Sequence, residues 1–207
     1  MVRVLMAGRR CDRMPEDRIV RLFAGVAVTA AERAASLPGD EIVARADVVM
    51  DRGFDVPAPP EQVWPWILQL GKGRAGWYLP RAVERWIPRG RRGLRGLDPR
   101  WQHLAVDDVI RDWGGRDATF RVTLLDPPTA LVHVSTRGRM NLSWAITLAP
   151  TGGSATRLHL RLRLGQVRRR WLAVTAGELI DQLTIAGLAA GLGERVAPPA
   201  EPVSPEC

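Results

Sequence analysis

The sequence predicts an α+β fold in which an antiparallel sheet packs against one long C-terminal helix. Over residues 157–164 leucine alternates with arginine or histidine, as in a strand with one buried face. Several strand-like segments separated by Gly or Pro turns precede this stretch, and a helix-like stretch of about 25 residues follows Gly165. Strands in hairpin succession with one long helix packed across them are typical of the α+β class.

The composition is that of a single water-soluble domain. The chain has 207 residues, of which 46% are hydrophobic and 25% charged, which excludes a wholly disordered protein. The net charge of +8 comes almost entirely from arginine, since Lys72 is the only lysine. A basic chain can bind nucleic acid or an anionic membrane. Abundant arginine together with much Ala, Gly and Pro more simply indicates a GC-rich genome.

The cysteines and apolar stretches predict a cytoplasmic location. Cys11 and Cys207 lie near opposite ends of the chain without a metal-binding spacing, which fits a reducing compartment. Acidic residues interrupt the N-terminal region before any apolar run, so a secretory signal is not expected. The apolar stretch 171–193 carries Glu178 and Asp181, which predicts an amphipathic helix and not a transmembrane segment.

The first 38 residues are expected to lead into the domain. Residues 1–38 are predicted to form a partly helical lead-in, with one helix over Pro15–Ala27 and a second begun by the capping box that starts at Thr29. A strand is predicted over Glu41–Asp55, where apolar and charged residues alternate. The ligand-binding domain is assigned to residues 39–194.

A short apolar helix is predicted after this strand, in the segment Pro59–Leu70. Prolines at its start favour the first helical turn, because their fixed φ suits a helix. One apolar face is formed by Val63, Trp66, Ile67 and Leu70. Pro65 is expected to kink the helix or split it.

The remaining elements follow from local patterns. Residues 81–86 predict a helical turn, and Pro88–Arg100 predicts a mobile Gly/Pro/Arg loop. The last strand should turn its leucines inward and its cationic side chains to water. The Pro-rich tail, residues 195–207, is expected to be disordered. Further strands are predicted at Val109-Ile110, Ala118–Leu125, Ala130–Thr136 and Asn141–Leu148, and the C-terminal helix has apolar positions at Leu172, Leu179, Leu183 and Ile185.

The segment Gly71–Tyr78, GKGRAGWY, contains the spacing GxGxxG, which also occurs in dinucleotide-binding proteins. That fingerprint requires a strand before it and a helix opening after it. Here a predicted helix precedes the glycines and Trp77-Tyr78-Leu79-Pro80 follows them. The context excludes a dinucleotide site and favours a loop at the rim of an apolar pocket, with glycines that permit positive φ.

The chain resembles the START-like helix-grip superfamily, the SRPBCC proteins, and in particular its actinobacterial polyketide cyclase-like members. The segments that carry the resemblance are PGDEIV, DVPAPPEQVWPWILQLGKGRAGWY and DPPTALVHVS, followed by a Trp-bearing strand and a long terminal helix. It covers about residues 27 to 193. The resemblance implies a curved antiparallel sheet wrapped around the C-terminal helix and a deep apolar cavity between them. Known relatives bind lipids and hormones or act as aromatases and cyclases.

Aromatic residues dominate the predicted ligand site. Arg74 could anchor a ligand carboxylate or enolate, or it could fix the loop through a salt bridge or by stacking on an aromatic ring. An aromatic residue on an apolar face could equally belong to the core. The candidate ligand-binding residues are Trp66, Leu70, Arg74, Trp77, Tyr78, Trp86 and Trp144.

Catalytic and metal signatures are sparse. The three histidines lie far apart, no HxxxH, HExxH or GxSxG pattern occurs, and His159 should face water by alternation. No metal and no cofactor are therefore expected. A cyclase would need mainly a shaped cavity and one or two polar groups, for which Arg74, Tyr78 and His133 are the first residues to test.

The sequence therefore predicts a carrier or sensor that binds a hydrophobic or aromatic small molecule in an internal cavity. The alternative is a polyketide cyclase or aromatase-like enzyme that acts in the same cavity. A third interpretation is that the arginine cluster of residues 81–100 forms an interaction surface, since Trp86 and Trp101 lie close to its basic side chains in the sequence. A solvated loop explains that cluster more simply, so nucleic acid is not an expected partner. The oligomeric state is left open.

Overall fold

A computed structural model of the protein describes residues 25–197. Within this range the chain forms one six-stranded antiparallel sheet with the strand order β1-β6-β5-β4-β3-β2. This curved sheet and the long C-terminal helix confirm the predicted helix-grip fold. The strands are β1 Val48–Val56, β2 Val109–Arg111, β3 Thr119–Asp126, β4 Ala130–Arg137, β5 Met140–Thr151 and β6 Ala155–Gly165.

Several predictions fall outside the described residues. These are most of the helix predicted over Pro15–Ala27, both cysteines and nearly all of the Pro-rich tail. The boundaries that divide the chain at residues 38 and 194 stay predictions.

The first strand begins later than its alternation suggested. Residues 41–47 form turns, and β1 starts at Val48. The carbonyl groups of Val43 and Ala44 accept hydrogen bonds from the side chain of Arg163 instead of joining a ladder. The other strands lie within a few residues of their predicted positions, because hairpin turns rich in Gly and Pro mark their ends.

Helix α2, Pro60–Gln69, follows the short helix α1, Ala30–Ala34, and strand β1 in chain order. Pro60 occupies the first turn, where a missing N–H group is harmless. Pro65 lies inside the helix without splitting it, so of the two expected outcomes, a kink or a split, the split does not occur. The side chains of Val63, Trp66 and Ile67 are buried in the core as their spacing predicted.

The turn after α2 is closed by backbone hydrogen bonds between Gly71 and Gly76. Gly76 has φ +82°, and a Cβ atom there would lie 3.1 Å from the Cα atom of Gly93. The glycine therefore allows both the left-handed backbone and close packing of the arginine-rich loop against the turn.

That loop, residues 88–100, is held to the domain by more contacts than the predicted solvated loop would have. The backbone N–H of Leu94 donates to the carbonyl of Ala75 at 2.8 Å. Glu84, in the four-residue helix α3 (Arg81–Glu84), binds Arg95 at 2.6 Å and Arg195 at 2.7 Å. The side chain of Arg195 is completely buried, so it joins the loop to the end of the C-terminal helix.

The C-terminal helix, Arg170–Val196, begins with an α-helical turn at Arg170–Leu172, continues as a π-helical segment at Ala173–Gly177 and ends as an α-helix at Glu178–Val196. In the described part of the chain it is the one helix long and apolar enough to cross a membrane. A single such helix is weak evidence for a membrane span, because the core helix of a water-soluble protein passes the same test.

The two halves of this helix differ in burial. Ile185, Leu188 and Leu192 are buried against the core. The apolar positions predicted at Leu172, Leu179 and Leu183 are instead exposed. Only the second half packs closely against the core; another side of the first half borders a cavity.

The sheet has two unlike faces. The inner face, toward the C-terminal helix, carries Leu158, Leu160, Leu162 and Leu164 of β6 as predicted. The outer face carries Arg157, His159, Arg161 and Arg163. The prediction that these cationic side chains face water is wrong. His159 and Arg161 are 6% and 3% exposed, because residues 26–47, here called the N-terminal strap, cover the outer face.

Candidate ligand-binding site

A cavity of about 530 Å³ lies between the inner face of the sheet and the first half of the C-terminal helix. Its walls are mostly apolar, and aromatic side chains contribute much of them. The lining consists of Met50, Trp77, Asp112, Trp113, Gly114, Phe120, Arg137, Met140, Leu142, Trp144, Leu162, Leu164, Gly177, Ile180, Asp181, Thr184 and Ile185.

Four aromatic residues from separate parts of the chain meet at one end of the cavity. The rings of Trp77 and Trp144 are stacked with centroids 6.2 Å apart, and Trp113 meets Trp77 edge to face at 5.8 Å. Phe120 lies 5.8 Å from Trp144. Such arrangements favour contact with another flat apolar group, because ring faces and edges carry complementary partial charges.

Trp77 is held by a hydrogen bond to the C-terminal helix. Its Nε1 donates to the carbonyl of Thr184 in the C-terminal helix, at 3.2 Å. Trp77 follows the turn of residues 71–76, and this bond fixes its ring against the C-terminal helix.

Polar groups in the cavity wall form two ion pairs. Asp112, just after β2, binds Arg137 at the end of β4. Asp181 of the C-terminal helix lies 3.0 Å from Nε of Arg52, which also contacts the carbonyl oxygen of Glu178. Burial raises the pKa of Asp181 to about 6, against the opposing effect of the Arg52 charge.

A second, smaller cavity of about 40 Å³ lies behind the aromatic residues. It shares Trp77, Asp112, Trp113, Phe120 and Trp144 with the larger cavity and adds His133, Leu70 and several aliphatic side chains. Burial lowers the pKa of His133 to about 4, so the imidazole is neutral at physiological pH.

The predicted site residues separate into three groups. Trp77 and Trp144 line the larger cavity, and Leu70 lines the smaller one with them. Trp66 and Tyr78 belong to the packed core, where the Tyr78 hydroxyl donates to the carbonyl of Trp66 at 2.9 Å.

Arg74 and Trp86 lie outside both linings. Arg74 donates to the carbonyls of Leu68 and Trp101, and its guanidinium lies 5.0 Å from the centre of a Trp101 ring. These contacts fix the loop, as one of the two sequence interpretations proposed. Trp86 is 78% exposed on the surface.

Several lining residues were not among the sequence candidates. Phe120 could have been found, because it alternates with Val122 on one face of a predicted strand. Trp113 follows a three-residue strand and carries no such signal. Asp181 and Arg137 become site residues only through contacts with distant parts of the chain.

A family model described as "Polyketide cyclase / dehydrase and lipid transport" matches residues 47–193. No curated protein matches the chain.

Solved structures with a similar fold are distant in sequence. CalU16 from Micromonospora echinospora is 16% identical over 74% of this chain and 78% of its own, with a TM-score of 0.44. A protein from Arthrobacter aurescens is 15% identical over 75% of this chain and 92% of its own, with a TM-score of 0.43. MLL2253 from Mesorhizobium loti is 17% identical over 67% of this chain and 96% of its own, with a TM-score of 0.40.

Proposed function

Since the chain belongs to the SRPBCC-type family of polyketide cyclases, dehydrases and lipid-transport proteins, we propose that it binds a hydrophobic or aromatic small molecule between the sheet and the C-terminal helix. The observation that carries this proposal is the cavity of about 530 Å³ with its four contacting aromatic rings. Ligand sites typically have volumes of about 300–1,000 Å³, mostly apolar walls and a few polar groups. The protein would act as a carrier or a sensor.

The direct test is binding of N-phenyl-1-naphthylamine, an uncharged probe whose fluorescence rises in apolar surroundings. Leu162→Trp places an indole in the cavity lined by Leu162, so we expect the affinity to fall by about tenfold or more. The matched control is Trp86→Ala, which removes an exposed indole far from the lining and should leave the affinity unchanged. Equal affinities of wild type and Leu162→Trp would place the probe elsewhere and overturn the proposal.

A second candidate function is a cyclase reaction in the same cavity, and Asp181 is the observation that favours it. A cavity-lining carboxyl group with a pKa of about 6 can exchange a proton near neutral pH, as a general base must. The nearby Arg52 could stabilise the enolate that forms when a carbon between two carbonyl groups loses its proton.

Asp181→Asn separates the two functions. In a cyclase this variant should still bind N-phenyl-1-naphthylamine but lose at least a hundredfold in turnover of a poly-β-ketone. Turnover that survives the substitution would exclude Asp181 as the base. No turnover by the wild type, with probe binding intact, would favour the carrier or sensor.

A further inference from the structure

His133, in the wall of the smaller cavity, has a ring nitrogen that the fold leaves without a hydrogen bond. Nδ1 of His133 is buried and makes no hydrogen bond of good geometry within the described residues, although the imidazole lies close enough to the backbone of Trp144 for that group to oppose the lowering of its pKa. The whole side chain is 4% exposed, so bulk water does not solvate it. Most buried polar atoms in proteins have a partner, and an exception in a cavity wall points to a group that binds there.

Strand register places His133 on the inner face of the sheet. His133 of β4 pairs with Trp144 of β5, which in turn pairs with Leu162 of β6. Directly paired residues of neighbouring strands project to the same side. His133 therefore lies in the same row as two residues that line the larger cavity.

The imidazole is enclosed by the same aromatic residues that form the end of that larger cavity. It stacks on Trp144 with centroids 5.5 Å apart and meets the Phe120 ring at 5.7 Å. A planar ligand that contacts Trp144 and Phe120 from the larger cavity would thus lie close to His133. The smaller cavity, of about 40 Å³, has room for a substituent of such a ring but not for the ring itself.

We propose that His133 forms an inner polar subsite that hydrogen-bonds a hydroxyl group carried by an aromatic ligand. This inference rests on the proposed binding function and adds the chemical class of the ligand and a residue that determines specificity. A hydroxyl group both donates and accepts, so it satisfies Nδ1 in either tautomer of the imidazole. The ring that carries the hydroxyl would occupy the larger cavity.

A lone water molecule fits the smaller cavity less well than a ligand hydroxyl does. Buried waters typically make about three hydrogen bonds. The charged side chains of the lining are Arg111, which is exposed to solvent, and Asp112, which already binds Arg137 and the backbone N–H of Gly114. A ligand hydroxyl needs only the one partner, because stacking holds the ring that carries it.

The test compares 2-naphthol with 2-methylnaphthalene, which has the same shape but no hydrogen-bonding group. Both affinities are measured by titration at pH 7 for wild type, His133→Phe and His133→Asn. We expect His133→Phe to lower the affinity ratio of naphthol to methylnaphthalene about tenfold, since it keeps a ring but removes the polar atom. We expect His133→Asn to restore most of the ratio, because its amide group can replace Nδ1.

The outcomes separate this inference from the function on which it rests. If both probes bind and the ratio is the same in wild type and His133→Phe, the cavity binds ligands but the His133 subsite is wrong. If neither probe binds the wild type, both proposals fail. If His133→Phe does not fold, the wild-type protein alone decides. Its affinity ratio of naphthol to methylnaphthalene is compared with the ratio of the octanol–water partition coefficients of the two probes. A binding ratio no greater than the partition ratio overturns the subsite.

Discussion

The two faces of the sheet differ in what covers them, and strand β6 shows the difference. On the inner face of β6, the leucines border either a packed core or a cavity. On the outer face, the basic residues are covered by the N-terminal strap and paired with acidic groups and carbonyl oxygens. The polar face is closed and the apolar face is partly open, which reverses the usual arrangement of an antiparallel sheet.

Arg161 shows how the outer face is closed. Its Nε binds Asp51 at 2.7 Å, and its Nη1 binds Asp40 at 2.8 Å and the carbonyl of Ala35 at 2.7 Å. Nη2 donates to two further carbonyls of the strap. His159 shares Asp51 with it, at 2.7 Å. A guanidinium with its donors engaged in this way fixes the strap to the sheet.

At the cavity, the polar groups of the inner face are not engaged in such a network of hydrogen bonds. Oδ2 of Asp181 and Nε of Arg52 lie 3.0 Å apart, but neither makes a hydrogen bond with good geometry. Nδ1 of His133 is likewise without a partner among the described residues. The outer face thus satisfies most of its buried polar groups internally, with Oδ1 of Asp40 as an exception, and the inner face leaves three such atoms without a hydrogen bond near its cavities.

We expect the greatest loss of stability when the contacts between the outer face and the N-terminal strap are removed. Arg161→Ala removes one of the two side chains that bind Asp51 and leaves several strap carbonyls buried without their donor, so we expect the free energy of unfolding to fall by about 3–5 kcal/mol. Urea denaturation at pH 7 measures this loss. Amide hydrogen exchange should show faster exchange throughout residues 26–47.

The matched control for Arg161→Ala is Arg169→Ala, which removes an exposed arginine from the segment after β6. Its effect should stay within about 0.5 kcal/mol. A loss below about 1 kcal/mol for Arg161→Ala would mean that the strap does not close the outer face in solution.

The next prediction compares two leucines on the inner face of one strand. Leu158 is fully buried in the core, so Leu158→Ala should lower the free energy of unfolding by about 3 kcal/mol. Leu162 already borders the cavity, so Leu162→Ala removes fewer contacts and should lower it by only about 1 kcal/mol. Thermal and urea unfolding of the two variants give this comparison. Equal losses would show that the cavity is closed in solution by side chains packed on Leu162.

Local patterns were sufficient to predict the inner face of this sheet. Alternation over 157–164 gave the leucine side of β6, and the spacing in α2 gave its buried face. The fold class could be predicted because apolar residues recur with a clear helical or strand period in each of these elements. The family resemblance then located the cavity between sheet and helix.

The same alternation could not show what covers the opposite side. Arg161 binds Asp40 and the carbonyl of Ala35, which are more than 100 residues away in the chain. A periodic pattern reports that two faces differ in polarity. It does not distinguish water from a polar segment of the same protein.

The direction of an aromatic side chain is equally hidden from local sequence. Trp77 and Trp86 lie close together in the chain, yet Trp77 lines the cavity and Trp86 is exposed. Trp113 reaches the cavity from the connection between β2 and β3, whose path is set by the whole sheet.

The last prediction is that the stability of the protein depends on pH with opposite sign on the two faces. Burial raises the pKa of Asp181 on the inner face to about 6, above its ordinary value of 3.8. The native state therefore holds a proton that the unfolded chain releases between about pH 4 and 6, and its stability falls as pH rises through that window. Asp181→Asn removes this dependence. Its free energy of unfolding relative to wild type should rise by roughly 2 kcal/mol between pH 4 and 7.

Glu32 on the outer face supplies the matched comparison. The hydrogen bond from Arg157 lowers the pKa of Glu32 to about 2, so the carboxylate stabilises the native state above about pH 4.5 and loses that contribution as pH falls toward 2. Glu32→Gln should thus be less stable than wild type by about 1–2 kcal/mol at pH 7, with a difference that shrinks in acid. Urea unfolding from pH 3 to 7 gives both curves. If the stability difference from wild type changed with pH in the same direction for both variants, the two faces would not shift the pKa values of their carboxyl groups in opposite directions.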